Sequence, residues 1–359
     1  MGRTPIEACN PPNFEISRFV HLGSTATLAP LTDWKSPRSP VAYCAFIMES
    51  SVFEAQSLFY QSAYSGCIEF AQTHAPNGIT DNTSLILLVY AARAALAMGD
   101  IAGARQLLGD DSEQPVAMSV LLLADFTEMK RSGDDAGSED VIQQLIMLLD
   151  VVEPGELAAE IVRYQVGLAL HENGDTQNAL ETLGVIGAGG STELECIALG
   201  VHILLEIQRV DLAEKEYLSA RKQNDDSILV QYMEAWIGLV RGGRATQQAY
   251  YVYDEMSQNT MIAHTRNMVP SLVGKAVAQA AQNDVPGATN TLNEALALDP
   301  QHTLALANQG VVQSLASDVT VPEAESTTNM YAKTEPASAL VSFWDTKRYE
   351  LEQAVAAMQ

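Results

Sequence analysis

The chain is short of basic residues, of aromatics and of cysteine. Its 359 residues hold 20 Lys and Arg against 45 Asp and Glu, a formal net charge of −25. That deficit leaves little from which to build a basic patch, which argues against nucleic acid and against an anionic membrane surface as direct ligands. Aromatics make up only 6% of the chain while apolar residues reach 47%. A core poor in aromatics and rich in Ala and Leu favours helix-on-helix packing over a sandwich of β-sheets. The four cysteines, Cys9, Cys44, Cys67 and Cys196, form no C-x-x-C pair. This fits a reducing compartment and speaks against a structural disulfide or zinc knuckle. Long hydrophobic runs are missing too. The apolar stretch VAYCAFIM has eight residues, well below the ~20 that span a bilayer. No basic-then-apolar signal segment opens the chain, and MGRTPI lacks the Ser or Thr that N-myristoylation favours at its sixth position. The reading is a soluble cytoplasmic protein.

Catalytic and metal motifs are also absent. The histidines are His21, His74, His171, His202, His264 and His302, and none forms H-E-x-x-H. Neither G-x-S-x-G nor a P-loop occurs. GVIGAGGS, from Gly184, resembles a nucleotide-binding turn, but after Gly187 and Gly189 the last fingerprint position is Thr192. The stretch reads instead as a joint between helices. There Thr192 to Glu195 forms a capping box that starts the next helix. DDAGSED reads as a solvated loop. No enzyme activity, metal, cofactor or small-molecule substrate is expected.

What is present is a repeat. HENGDTQNALETL, EIQRVDLAEKEYL and AQNDVPGATNTLNEALALDP each follow an apolar helix and open a second one. A small residue sits at a fixed place after each turn: Ala179, Ala213 and Ala288. Twelve positions upstream lie Gly167, Val201 and Ala276. Ala179 and Ala213 are 34 residues apart, the period of tetratricopeptide repeats. Two antiparallel helices approach closely only where both faces are small, and a large side chain there overpacks the crossing. The frame extends to Ala92 and Ala104, to Cys67 in an earlier half-unit, and to a looser unit interrupted by RSGDDAGSED. The unit AWIGLVRGGRATQQAYYVYDEM is expected to have a loop about two residues longer. The predicted fold is an all-α, tetratricopeptide-like helical-repeat superhelix over 48–320. Residues 321–359 follow as a polar segment, partly loop, and a C-terminal capping helix. Residues 1–47 contain six prolines and show no helical periodicity. They read as a disordered leader, or as an extension ahead of a start at Met48.

First helices of such a stack line its inner surface. Repeat geometry places Tyr164, Leu168 and His171 there from one unit. Glu195, Ala198, His202 and Leu205 come from the next, and Tyr232, Trp236 and Leu239 from a third. The mixture of apolar and aromatic side chains suits a protein–protein groove. A second reading is that some of these residues only pack against neighbouring helices. The set lacks the Lys, Arg and Asn that co-chaperone repeats use to clamp a carboxylate tail, although another tetratricopeptide scaffold or co-chaperone adaptor remains the alternative.

Three segments carry a resemblance: SLFYQSAYSGCIEFAQ (57–72), LECIALGVHILLEIQRVDLAEKEYLSARKQNDDSILVQ (194–231) and AWIGLVRGGRATQQAYYVYDEM (235–256). They resemble the epsilon subunit of coatomer, the COPI vesicle coat. FWDTKRYELEQAV resembles the C-terminus of that family more loosely. The resemblance implies a non-enzymatic adaptor that grips and stabilises the C-terminal region of the coatomer alpha subunit. It implies indirect membrane association through the coat on Golgi and vesicle membranes, and a role in Golgi-to-ER and intra-Golgi transport.

Overall fold

The computed structural model describes residues 40–109, 112–186, 193–316, 321–334 and 339–358; for 40–49, 321–325, 339 and 357–358 it describes the backbone alone. The described residues form helices α1 (Pro40–Tyr60), α2 (Tyr64–His74), α3 (Asn82–Ala97), α4 (Ile101–Leu108), α5 (Pro115–Ser132), α6 (Asp135–Leu149), α7 (Leu157–Glu172) and α8 (Thr176–Thr182). There follow α9 (Leu194–Glu206), α10 (Val210–Gln223), α11 (Ile228–Arg241), α12 (Arg244–Ser257), α13 (Val269–Ala281), α14 (Val285–Leu298), α15 (Thr303–Leu315), α16 (Val321–Thr334) and α17 (Ala339–Met358). One 3-10 turn, Arg266–Met268, precedes α13, and no strand occurs among the described residues. The helices succeed one another in pairs, so the chain is an all-α helical repeat. It divides into two compact units, up to Ile237 and from Gly238 onward, with the boundary inside α11.

One short turn explains why helix follows helix so closely. Gly99, Gly133, Gly174 and Asn283 each take a positive φ of 66–87° after a first helix. Glycine and asparagine enter this left-handed region at little cost, which allows the helix to end abruptly. The next residue is Asp in every case. The backbone N–H groups of Asp100, Asp175 and Asp284 each donate at 2.9 Å to a carbonyl five residues back, closing the first helix. Their carboxylates then accept from the third backbone N–H of the second helix, at 2.8 Å from Gly103, 3.3 Å from Asn178 and 3.0 Å from Gly287. Asp134 repeats both bonds with Met129 and Gly137. A single aspartate thus ends one helix and caps the next. Between α9 and α10 the left-handed residue is Gln208 and the N-cap is Arg209, which makes no side-chain cap bond.

Four details differ from the sequence-based expectation. The polar stretch DDAGSED is not a loop: because Asp134 caps at once, α6 already starts at Asp135. The loop between α11 and α12 is not longer than its counterparts. Gly242 and Gly243, both at positive φ, reverse the chain in two residues. The polar segment ahead of the C-terminal helix is helical over Val321–Thr334. Finally, α1 begins at Pro40, inside the segment read as a leader; proline suits the first turn, where its missing N–H has no helical partner.

Ala92, Ala104, Gly167, Ala179, Val201, Ala213, Ala276 and Ala288 are all buried. Cys67 is buried as well, with Sγ 3.5 Å from the Ala55 carbonyl of α1. The tightest approaches fall on glycines. In the first unit, a methyl group on Gly167 would lie 2.6 Å from Leu183 Cδ2, and one on Gly200 would lie 2.1 Å from Val185 Cγ2. In the second unit, a methyl on Gly238 would meet the Ala245 carbonyl oxygen at 2.7 Å, and one on Gly274 would meet the Tyr253 ring at 2.4 Å. Three of these glycines, Gly200, Gly238 and Gly274, were not singled out by the repeat spacing; Gly200 directly precedes the Val201 that was, and Gly274 lies two residues before Ala276. At the end of the second unit Leu306, Ala307 and Tyr331 form a small cluster. Leu340, Val341 and Trp344 of α17 pack on it, while Tyr349, Leu351 and Val355 farther along that helix are exposed.

These approaches differ in what can yield. Alanine gains about 1 kcal/mol over glycine in helix propensity. At Gly167 the obstacle is the fully buried Leu183 side chain, whose Cγ and Cδ2 would lie at 2.7 and 2.6 Å and must both shift, so the propensity gain offsets only part of the cost and Gly167→Ala should lose less than Gly238→Ala. At Gly238 the obstacle is backbone, and Gly238→Ala should lose about 1–3 kcal/mol. Urea midpoints of the two variants decide; equal effects would show that the crossing at Gly238 has slack.

Candidate functional site

The side chains expected to line a groove come from first helices, spaced by three or four residues so that each set shares one face. Aromatic rings link the three sets. The rings of His171 on α7 and His202 on α9 lie 6.2 Å apart, edge to face, and His202 lies 6.0 Å from Trp236 on α11. Trp236 stacks on Tyr232 at 6.0 Å. The structure therefore brings His171, His202, Tyr232 and Trp236 into one continuous strip. Exposure along it is uneven. Tyr164, Leu168, Glu195, Ala198, Leu205, Tyr232 and Trp236 are each at most 8% exposed. His171 and His202 are half-buried, as is Leu239, which belongs to the second unit.

Glu195 has a role that its neighbours in sequence do not suggest. Its Oε2 accepts from Arg93 Nη2 at 2.6 Å, and its Oε1 accepts from Arg93 Nη1 at 3.3 Å and from the Tyr90 hydroxyl at 3.0 Å. The Tyr60 hydroxyl donates to the same Oε1, and Gln56 Nε2 donates to Tyr90 at 2.9 Å. Above and around the guanidinium lie the rings of Phe59, Tyr90 and Tyr164, 4.7–5.0 Å from its carbon. Residues of α1, α3, α7 and α9 thus meet at one fully enclosed ion pair. Burial works against the charge on Arg93, but Glu195 outweighs it and the guanidinium is held more firmly protonated than usual. The capping-box reading of Glu195 is corrected accordingly. Helix α9 starts at Leu194 with Glu193 at its N-cap and no side-chain cap bond, and the carboxylate of Glu195 is committed to Arg93 rather than to the helix start. Gly187, Gly189 and Thr192 of the glycine loop lie outside the described residues.

Around this centre several groups are shifted. Burial, then the negative charges of Glu195 and Glu160, push the Glu193 carboxyl up to about 7. Burial pushes the thiol of Cys67 up to about 12 and that of Cys196 higher still, which leaves both protonated and unreactive near neutrality. On the strip, burial and then His171 lower His202 to about 4, so its imidazole is neutral at pH 7. Glu206 is lowered chiefly by its hydrogen bond with His171, whose Nε2 lies 3.1 Å from Glu206 Oε2. Together His171, His202 and Glu206 form a group of potential metal ligands that linear motif scanning does not find. The signal was the pair His202–Glu206 at i, i+4; its third member is 31 positions earlier.

Removing one partner of the enclosed pair strands the other. Glu195→Met and Arg93→Met should therefore each cost roughly 3–5 kcal/mol, and the double variant Arg93→Met/Glu195→Met should cost clearly less than these two single changes added together. Chemical denaturation of the three proteins reads this out, and strict additivity would contradict it. The shift at Glu193 predicts a pH effect. Its folded value lies above its unfolded value of about 4.5, so its contribution to stability is complete below about 4.5 and is lost as pH rises through about 7. Glu193→Gln should gain stability relative to wild type as pH increases from 4.5 to 8. A difference that stays flat over that range would contradict it.

Among the described residues no helix is long and apolar enough to cross a membrane. The family model of the coatomer epsilon subunit matches residues 48–359. Coatomer subunit epsilon-2 of Oryza sativa subsp. japonica is 27% identical over 263 residues, which cover 72% of this chain and 81% of that protein. Coatomer subunit epsilon-1 of Arabidopsis thaliana is 28% identical over 263 residues, covering 72% and 81%. The probable coatomer subunit epsilon of Schizosaccharomyces pombe is 24% identical over 262 residues, covering 73% and 79%. With this match laid over a chain of paired helices, the protein belongs to the coatomer epsilon subunit family and is a structural, non-enzymatic subunit of the COPI coat.

Proposed function

We propose that this chain binds and stabilises the C-terminal region of the coatomer alpha subunit, and through it joins the rest of the coatomer. It would act in retrograde Golgi-to-ER and intra-Golgi transport, on the cytoplasmic side of Golgi and vesicle membranes. The observation that carries this reading is the family match over 48–359 on an all-helical repeat. A helical repeat binds through a broad preformed surface rather than a pocket, so little ordering entropy is lost on association. The strip from His171 to Trp236 supplies aromatic side chains of the kind that anchor such interfaces. The groove residues Tyr164, Leu168, His171, Glu195, Ala198, His202, Leu205, Tyr232, Trp236 and Leu239 divide accordingly. In the first unit His171 and His202 offer surface for direct contact and the buried members support them; Leu239 is half-buried in the second unit and is a separate candidate. A net charge of −25 favours a partner with complementary positive charge.

The test is co-purification of the tagged full-length chain with mass spectrometry. The alpha subunit should be recovered foremost among coatomer subunits; recovery of chaperones alone would contradict the proposal in favour of a co-chaperone adaptor. Ala213→Trp, at a crossing with no exposed surface, should lose about 1–3 kcal/mol of stability and weaken that recovery. Wild-type melting and recovery in this variant would count against a role for the α9–α10 crossing.

A further inference from the structure

We propose that His171, His202 and Glu206 form a binding site for a divalent transition metal, with zinc the ion best suited to their donors. The site bridges two consecutive units of the repeat. His171 sits in the last turn of α7, while His202 and Glu206 lie one turn apart on α9 and so project from the same face. Their ligand atoms all lie within 4.8 Å of one another. His171 Nε2 and Glu206 Oε2 are already 3.1 Å apart. Two ligands of a tetrahedral zinc ion with bonds of about 2.0–2.1 Å stand about 3.3 Å apart. One edge of the polyhedron is thus in place, and small side-chain rotations bring in the third donor.

The chemistry of the donors selects the ion. Calcium and magnesium take oxygen ligands almost exclusively, whereas two imidazoles and one carboxylate suit zinc and its neighbours in the first transition row. Three protein ligands leave a fourth position for water. Glu206 is 41% exposed on its side chain, which gives the ion a path in and that water a place to sit. The inner wall is the Trp236 ring, 6.0 Å from His202. His171 Nε2 donates to Glu206 in the metal-free chain, so ligation through Nε2 requires the other tautomer, with the proton on Nδ1, which is buried without a hydrogen-bond partner. A bound ion would tie α7 to α9 at the His171 end of the aromatic strip, with its open position facing outward. This inference does not depend on the alpha subunit being the partner.

The experiment titrates the full-length chain, stripped with a chelator, with cobalt(II) and then zinc. One equivalent of cobalt should bind and give the visible absorption of a four-coordinate ion, and zinc should displace it stoichiometrically. Saturating zinc should also raise the melting temperature. Glu206→Gln and His171→Ala should each weaken binding at least about tenfold, whereas Glu172→Gln, next to the site in sequence but outside the cluster, should not. Since Glu206 is partly exposed, Glu206→Gln decides the matter even if His171→Ala fails to fold. Absence of the cobalt band, absence of stoichiometric zinc, or binding unchanged in folded Glu206→Gln would overturn the proposal; the last would mean adsorption to the acidic surface.

Discussion

The first unit depends on one contact, the enclosed pair between Arg93 and Glu195. Their helices, α3 and α9, are separated by five other helices, and the two residues by 102 positions. Removing two charges from water is costly, and the cost is recovered only when they meet with good geometry and their remaining valences are filled. Here Tyr60 and Tyr90 fill the valences of the carboxylate and three aromatic faces surround the guanidinium. Relative to an apolar core of the same volume such a pair adds little net stability. It does penalise every arrangement that buries one partner alone. The local turns permit a range of small rotations from pair to pair, and the ion pair is satisfied in only one sum of them.

The local rules are simple, and they recur. A left-handed Gly or Asn, then an Asp that closes one helix and caps the next, sets the turn; a glycine or alanine sets how near two helices come. Neither device makes a catalytic site, and the enclosed thiols and carboxylates are held in unreactive forms or paired states. What the repeat does produce is surface: a strip of rings crossing three first helices. A structural subunit of a coat needs a stiff, shaped face of this kind more than it needs a pocket.

Much of this was legible in the sequence because it is local. Spacing located the small residues at the crossings, the Asp-bearing turns and the helical class, and segments 57–72, 194–231 and 235–256 carried the family resemblance. The failures were of two sorts. Composition misled where a cap overrides it: DDAGSED looks like a loop, yet Asp134 turns most of it into the first turns of α6. Distance defeated the rest. Glu195 was read by its neighbours as a capping residue and a groove residue, but Arg93, which determines its orientation, is remote in sequence. Likewise His171 becomes a possible ligand only when α7 lies against α9. At the crossings, period alone placed the small residue at Val201, while the steric contact falls on Gly200.

Native-state hydrogen exchange on the free chain, read helix by helix, tests most directly whether the ion pair is the centre of the first unit. Amides of α3, α7 and α9, which surround Arg93 and Glu195, should exchange slowest and only through global unfolding, whereas the exposed end of α17 should exchange through local fraying. If α9 exchanged as fast as the end of α17, or opened independently of α3, the pair would not be holding the unit together and the account would fail.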